Sequence, residues 1–193
     1  SLAGFLRIVK VKYHKFRTGN QSTKNLHPAM KKSIFYLAMF ALGGMQGLLG
    51  WYMVKSGLVD NPRVSQYRLT AHLGLAVIIY AYMLWVALDL LFPRGESHRR
   101  ARWSLVLVGL VYLMILSGGL VAGTRAGFAY STWPLMGTSF IPPGLYSLEP
   151  AWLSAFEDIT TIQFNHRIFA YLLFALIHVF AVISWRDGLG QRG

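Results

Sequence analysis

The stretch WSLVLVGLVYLMILSGGLVA at residues 103–122 decides the architecture. It carries no charged side chain, and as a helix rising about 1.5 Å per residue it is roughly 30 Å long, the thickness of a bilayer's hydrocarbon core. Polar and apolar residues do not alternate along it. Its backbone must therefore satisfy its own hydrogen bonds as a helix, since a strand of a closed barrel would show that alternation. Three further runs share this character, at 33–54, 69–92 and about 162–185, and the first of them is also free of charge. The expected fold is all-α, a polytopic transmembrane helical bundle with four spans, two within 33–92 and two within 103–185.

Composition points the same way. The 193 residues are 54% hydrophobic and only 13% charged, with a mean hydropathy of +0.43, whereas soluble domains carry about 25% charged residues. There is no cysteine, which excludes disulfides, thiolate metal sites and covalent attachment of haem through thioethers. The net charge of +12 does not indicate nucleic acid, because the basic residues gather between the spans. Arg7, Lys10, Lys12, Lys15, Arg17, Lys24, Lys31 and Lys32 crowd the segment 1–32, Arg94, Arg99, Arg100 and Arg102 crowd 93–102, and Arg186 and Arg192 lie in the tail 186–193. By the positive-inside rule these three segments face inward, leaving 55–68 and the long 123–160 loop outside. In that loop Arg125 stands against Glu149, Glu157 and Asp158. Neither terminus has the marks of a natural end: the first residues include no initiator methionine and no secretory core or cleavage site, and RDGLGQRG at 186–193 follows directly on a span. A fragment of a longer protein is expected.

The span at 33–54 contains Gly43, Gly44, Gly47 and Gly50, and the third span contains Ser117, Gly118, Gly119 and Gly123. Small residues in a membrane helix admit a neighbouring backbone or a flat ligand, and tight helix packing is the plainer of the two readings. Trp51, Tyr52 and Trp103 stand at span ends, as interfacial aromatics do. Residues 123–150, GTRAGFAYSTWPLMGTSFIPPGLYSLEP, are too rich in aromatics and too poor in charge for a solvated linker. They are expected to lie on the membrane surface or to cap a cavity, with a short interfacial helix over 150–158.

Histidines inside spans are the first candidates for chemistry, because an imidazole in hydrocarbon is costly unless partnered. His72 and His166 each lie about one turn in from the outer end of their spans, beside small neighbours, and neutral imidazoles so placed suit axial ligation of haem iron. The alternative is a hydrogen bond to another helix. His178 follows His166 by twelve residues, which turns it about 120° away and sets it deeper, so it reads as a packing residue. His14, His27 and His98 fall in basic segments and read as solvated. Arg167 beside His166, and Arg68 one turn before His72, could pair with haem propionates or with lipid phosphate. Gln163 shares a helical face with His166 and could line the same pocket. Phosphate-binding loops, dinucleotide fingerprints, zinc-protease motifs and paired carboxylates are absent, so hydrolase and kinase readings have no support.

Four stretches together, GWYMVKSGL at 50–58, NPRVSQYRLTAHLG at 61–74, SGGLVAGTRAGFAYSTWPLMG at 117–137 and TIQFNHR at 161–167, closely resemble the haem A synthase family of mitochondria and related bacteria. The resemblance runs from about residue 33 to the end and leaves 1–32 unassigned. It implies an eight-span fold of two similar four-helix halves, this chain holding the third to the sixth span. It further implies that His72 is the second histidine of the first half, an axial ligand to the substrate haem O. His166 would be the first histidine of the second half, a ligand to a haem b cofactor, with Gln163, Arg167, Arg68 and Arg125 as companions of the haem sites. The family's first-half E-x-x-H-R motif would precede Ser1, and Gln163 stands where its glutamate would fall in the second half. Each haem thus receives only one axial histidine from this chain. The implied reaction is oxidation of a ring methyl of haem O to a formyl group, giving haem A for cytochrome oxidase. The implied setting is a bacterial plasma membrane or the mitochondrial inner membrane, with lipid, a haem O synthase as donor, an unidentified electron acceptor and a second copy of the chain as partners, and no nucleic acid. A membrane cytochrome b that only transfers electrons, or a non-catalytic assembly fragment, would show the same histidines.

Overall fold

The computed structural model describes residues 28–55, 64–92 and 99–190. His14, His27, His98, Arg63, most of the basic segments 1–32 and 93–102, and the last three residues lie outside the described residues. Four long helices cover the four apolar runs: α1 (Pro28–Lys55), α2 (Gln66–Leu91), α3 (Arg99–Thr124) and, after a four-residue helix α4 (Ser154–Glu157), α5 (Ile159–Gly190). All four are long and apolar enough to cross a membrane, so the protein is an integral membrane protein. Among the described residues there is no strand, only an isolated bridge between Met136 and Ser139.

The helix ends follow from local chemistry. Proline begins α1, where its missing N–H costs nothing. At the end of α3 the Thr124 hydroxyl donates back to the Leu120 carbonyl at 2.7 Å, and Arg125 then takes a left-handed conformation with φ of 58°. That conformation ends helices, though glycine usually supplies it. Asp158 caps α5 in the extended conformation: its Oδ2 accepts the Thr161 N–H at 2.7 Å and the Thr161 hydroxyl at 2.6 Å. A cap of this kind stabilises by about 0.5–2 kcal/mol.

The chain divides into two compact units. Within the first, residues 1–48 and 75–96, Phe35 of α1 meets Tyr82 of α2 with ring centroids 5.7 Å apart. The second comprises 49–74 and 97–193. Here glycines let α2 and α3 approach closely. A Cβ on Gly119 would lie 3.1 Å from Thr70 Cα, and one on Gly123 only 2.5 Å from Gln66 Cα. On α2, a Cβ on Gly74 would lie 2.8 Å from Leu116 and 3.0 Å from the Tyr112 hydroxyl. Close helix packing is thus the use of Gly119 and Gly123. On α1, among the described residues, a Cβ on Gly43, Gly44 or Gly47 would meet nothing within 4 Å, whereas one on Gly50 would meet His72.

Most span side chains are exposed, Phe40 by 80% and Phe174 by 66%, because in a membrane the apolar solvent is lipid. The buried residues lie largely where the 125–158 segment meets the start of α5: Ala126, Met136 and Ile162, with the polar Ser154, Thr161 and Gln163. A polar interior persists only if every group is bonded, and all three polar residues are.

Candidate functional site

Both span histidines lie about two turns in from helix starts that share one end of the second unit. The shared end is fixed by Glu157 of α4, whose carboxylate accepts from Gln66 Nε2 at 3.2 Å and from the Tyr67 hydroxyl at the start of α2. α5 begins two residues later.

The His166 ring is half-buried and reaches α3. Its Nδ1 lies 2.9 Å from Ser117 Oγ, and a Cβ on Gly118 would lie 3.6 Å from its Cε1. Ser117 holds one ring edge, and Nε2 is the nitrogen left for a ligand. His72, also half-buried, faces α1, where a Cβ on Gly50 would lie 3.1 Å from its Cε1. The two imidazoles therefore face different neighbours, one against α1 and one against α3. His178, read as a packing or polar-network residue, is exposed and donates from Nδ1 to the Phe174 carbonyl of its own helix at 2.8 Å.

The companion residues are placed differently from one another. The Gln163 amide is turned to the 125–158 segment: its Oε1 accepts the Tyr130 N–H at 3.1 Å, and its Nε2 donates to the Tyr130 carbonyl at 2.9 Å and to Gly127 at 3.5 Å. Arg167 likewise donates to the carbonyls of Tyr130 and Thr132, both at 2.8 Å, and of Leu135 at 3.2 Å. These two side chains hold the segment over the start of α5, a use that their position beside His166 does not reveal. Arg68 is half-buried with its guanidinium 5.5 Å from the Tyr52 ring centroid, a cation–π contact with α1. Arg125 is exposed at the turn after α3.

Sequence reasoning missed three contributors. Thr161 accepts the Tyr146 N–H at 3.1 Å, Asn165 accepts the Tyr146 hydroxyl at 2.8 Å, and Ser117 was read only as a small residue. The signal lay in α5 itself, where Thr161, Gln163, Asn165 and Arg167 put polar pairs at i and i+4 near the start of a lipid-spanning helix.

Among the described residues no three His, Cys, Asp or Glu side chains could together hold a metal ion. A lone imidazole suits instead an iron that brings most of its ligands with it, as a porphyrin does. Gly50 fits this beside His72, since a Cβ there would press on the ring at 3.1 Å, whereas one on Gly118 would meet the His166 ring at an ordinary contact distance of 3.6 Å.

Fold and site thus define a polytopic α-helical membrane protein that presents one imidazole at matched depth on each of two spans. A profile of the family described as cytochrome oxidase assembly protein matches residues 4–192, and the chain belongs to this family, the haem A synthase family of the sequence resemblance. The match also takes in much of 1–32. The chain is similar to the heme A synthase of Nitrosospira multiformis, 58% identical over 148 residues, or 74% of this chain and 42% of that protein. The heme A synthase of Nitrosomonas eutropha is 54% identical over 144 residues, 71% of this chain and 40% of that protein. For that of Parvibaculum lavamentivorans the figures are 48% over 155 residues, 78% and 44%. The chain spans about two fifths of the length of the curated relatives it matches. No solved structure matches it.

Proposed function

We propose that the chain is the middle part of a haem A synthase and contributes one axial histidine to each of two haem sites, His72 to the substrate haem O and His166 to a haem b cofactor. The observation that carries this reading is the setting of His166, half-buried with its Nδ1 engaged by Ser117 of α3 at 2.9 Å. Metal-binding histidines are held in this way, the second nitrogen fixing the tautomer and the ring orientation. The names of the similar proteins support the activity, oxidation of a haem O ring methyl to formyl.

A haem b held by His166 would supply one-electron redox chemistry. The chain's own part is positional. His72 fixes the substrate from α2, with Gly50 leaving room beside the ring. Gln163, Arg167 and Thr161 hold the 125–158 segment against α5, where it limits the access of water to that end of the helices. Arg68, Arg125 and Arg167 are the guanidinium groups proposed for the haem propionates, Arg167 while also holding the backbone carbonyls of Tyr130, Thr132 and Leu135. The segment lies on the outer face of the membrane, a haem O synthase supplies the substrate, and the working form contains a second copy of the chain.

Pigment analysis of the full-length protein tests the reading. His72→Ala abolishes haem A formation while haem b stays bound, and His166→Ala depletes haem b. Wild-type pigment and product in either variant would remove the ligand assignment, and a protein that never yields haem A from haem O would be an electron carrier.

A further inference from the structure

The Ser117 hydroxyl meets His166 across a helix–helix contact, from a position 49 residues away in sequence. A neutral imidazole carries one proton, and in an apolar span that proton settles on whichever nitrogen has an acceptor, because an unpaired N–H in hydrocarbon is costly. A serine hydroxyl can donate or accept, and its oxygen has lone pairs with which to take the Nδ1 proton. The ring lies beside the α3 backbone, where a Cβ on the neighbouring Gly118 would be 3.6 Å from its Cε1.

We infer that Ser117 is a positioning residue for the iron-binding nitrogen of His166. Its oxygen accepts the Nδ1 proton, holds the ring in the tautomer whose Nε2 lone pair faces outward, and strengthens that nitrogen as a donor. This rests on the reading of His166 as a haem ligand. Were the hydroxyl to donate to Nδ1 instead, Nε2 would carry the proton and could not bind iron. The direction of this one hydrogen bond therefore decides whether the site works. A stronger donor nitrogen favours the oxidised iron, so loss of the acceptor shifts the haem b midpoint potential upward.

The test uses the full-length protein carrying haem b, with Ser117→Ala, Ser117→Thr and His166→Ala. Three quantities are read: extracted haem b, the midpoint potential from a reductive titration, and the rate of haem loss to apomyoglobin. Ser117→Ala raises the potential and speeds haem loss about tenfold or more, the usual scale for removing an outer partner of a metal-binding histidine. Ser117→Thr, which keeps the hydroxyl, restores both, and His166→Ala leaves no haem b at this site. Wild-type potential and loss rate in Ser117→Ala, or a Ser117→Thr variant that behaves like alanine, overturns the role of the hydroxyl while haem-free His166→Ala keeps the ligand reading intact. Undiminished haem b in His166→Ala overturns both.

Discussion

Gln163 pairs with Tyr130 as one peptide group pairs with another, its oxygen accepting the backbone N–H at 3.1 Å and its nitrogen donating to the carbonyl at 2.9 Å. The same Tyr130 carbonyl also accepts from Arg167 at 2.8 Å, so both of its lone pairs are used. Three positions thus form one knot between a loop and a membrane helix, with Gln163 only 4% exposed at its centre.

The first prediction concerns that knot. Gln163→Ala leaves Tyr130 without partners for its N–H, and a buried polar group left unsatisfied costs about 1–3 kcal/mol. Thermal unfolding in detergent should show the loss, and limited proteolysis should cut within 126–137 faster than in the wild type. Equal cleavage rates would show that the amide does not hold the segment.

Arg167 makes its three contacts with a planar fork. A lysine ammonium has as many donors but cannot present them in that geometry. Arg167→Lys should therefore recover only part of what Arg167→Ala loses. Hydrogen exchange over 130–137 reports it, ranking wild type as most protected, lysine next and alanine least. A lysine variant as protected as the wild type would mean that charge alone suffices.

Gly50 and Gly47 lie one turn apart on α1, yet a Cβ would meet the His72 ring at 3.1 Å from Gly50 and nothing within 4 Å from Gly47. Gly50→Ala should displace the imidazole by a few tenths of an ångström and lower haem A yield, whereas Gly47→Ala leaves yield unchanged. Product formation at matched expression distinguishes them, and equal yields would place no demand on residue 50.

Gly123→Ala sets a methyl 2.5 Å from the Gln66 backbone, an obstruction that no side-chain rotation relieves. Overpacking of this kind costs about 1–3 kcal/mol. Gly109, with nothing within 4 Å, accepts alanine with an effect of about 1 kcal/mol or less, in the stabilising direction that helix propensity favours. Denaturant unfolding of the two variants gives the comparison.

The four spans, and the helices that carry His72 and His166, were legible because membrane crossing is a local property of some twenty consecutive residues. The loop was not legible in the same way. Its path turns on left-handed backbone at Arg125 and Tyr146, and neither is a glycine that would advertise such a turn. Tyr146 keeps its conformation through Thr161 and Asn165, contacts that exist only once the segment has folded back on α5. For the same reason Gln163 and Arg167 read correctly as polar groups near His166, while the backbone groups they bond could not be named in advance. The glycines of α1 and α3 looked alike, and only packing separates Gly119 and Gly123, pressed against α2, from Gly43, Gly44 and Gly47, which stand open.

Gly118 and Gly119 are consecutive on α3, yet one abuts His166 of α5 and the other Thr70 of α2. A single peptide unit thus stands between the two histidine-bearing helices, close-packed on its α2 flank and looser on its α5 flank. A methyl at 119 would press on Thr70 of α2 while one at 118 would rest in ordinary contact with α5, so two adjacent positions of one helix tolerate enlargement very differently.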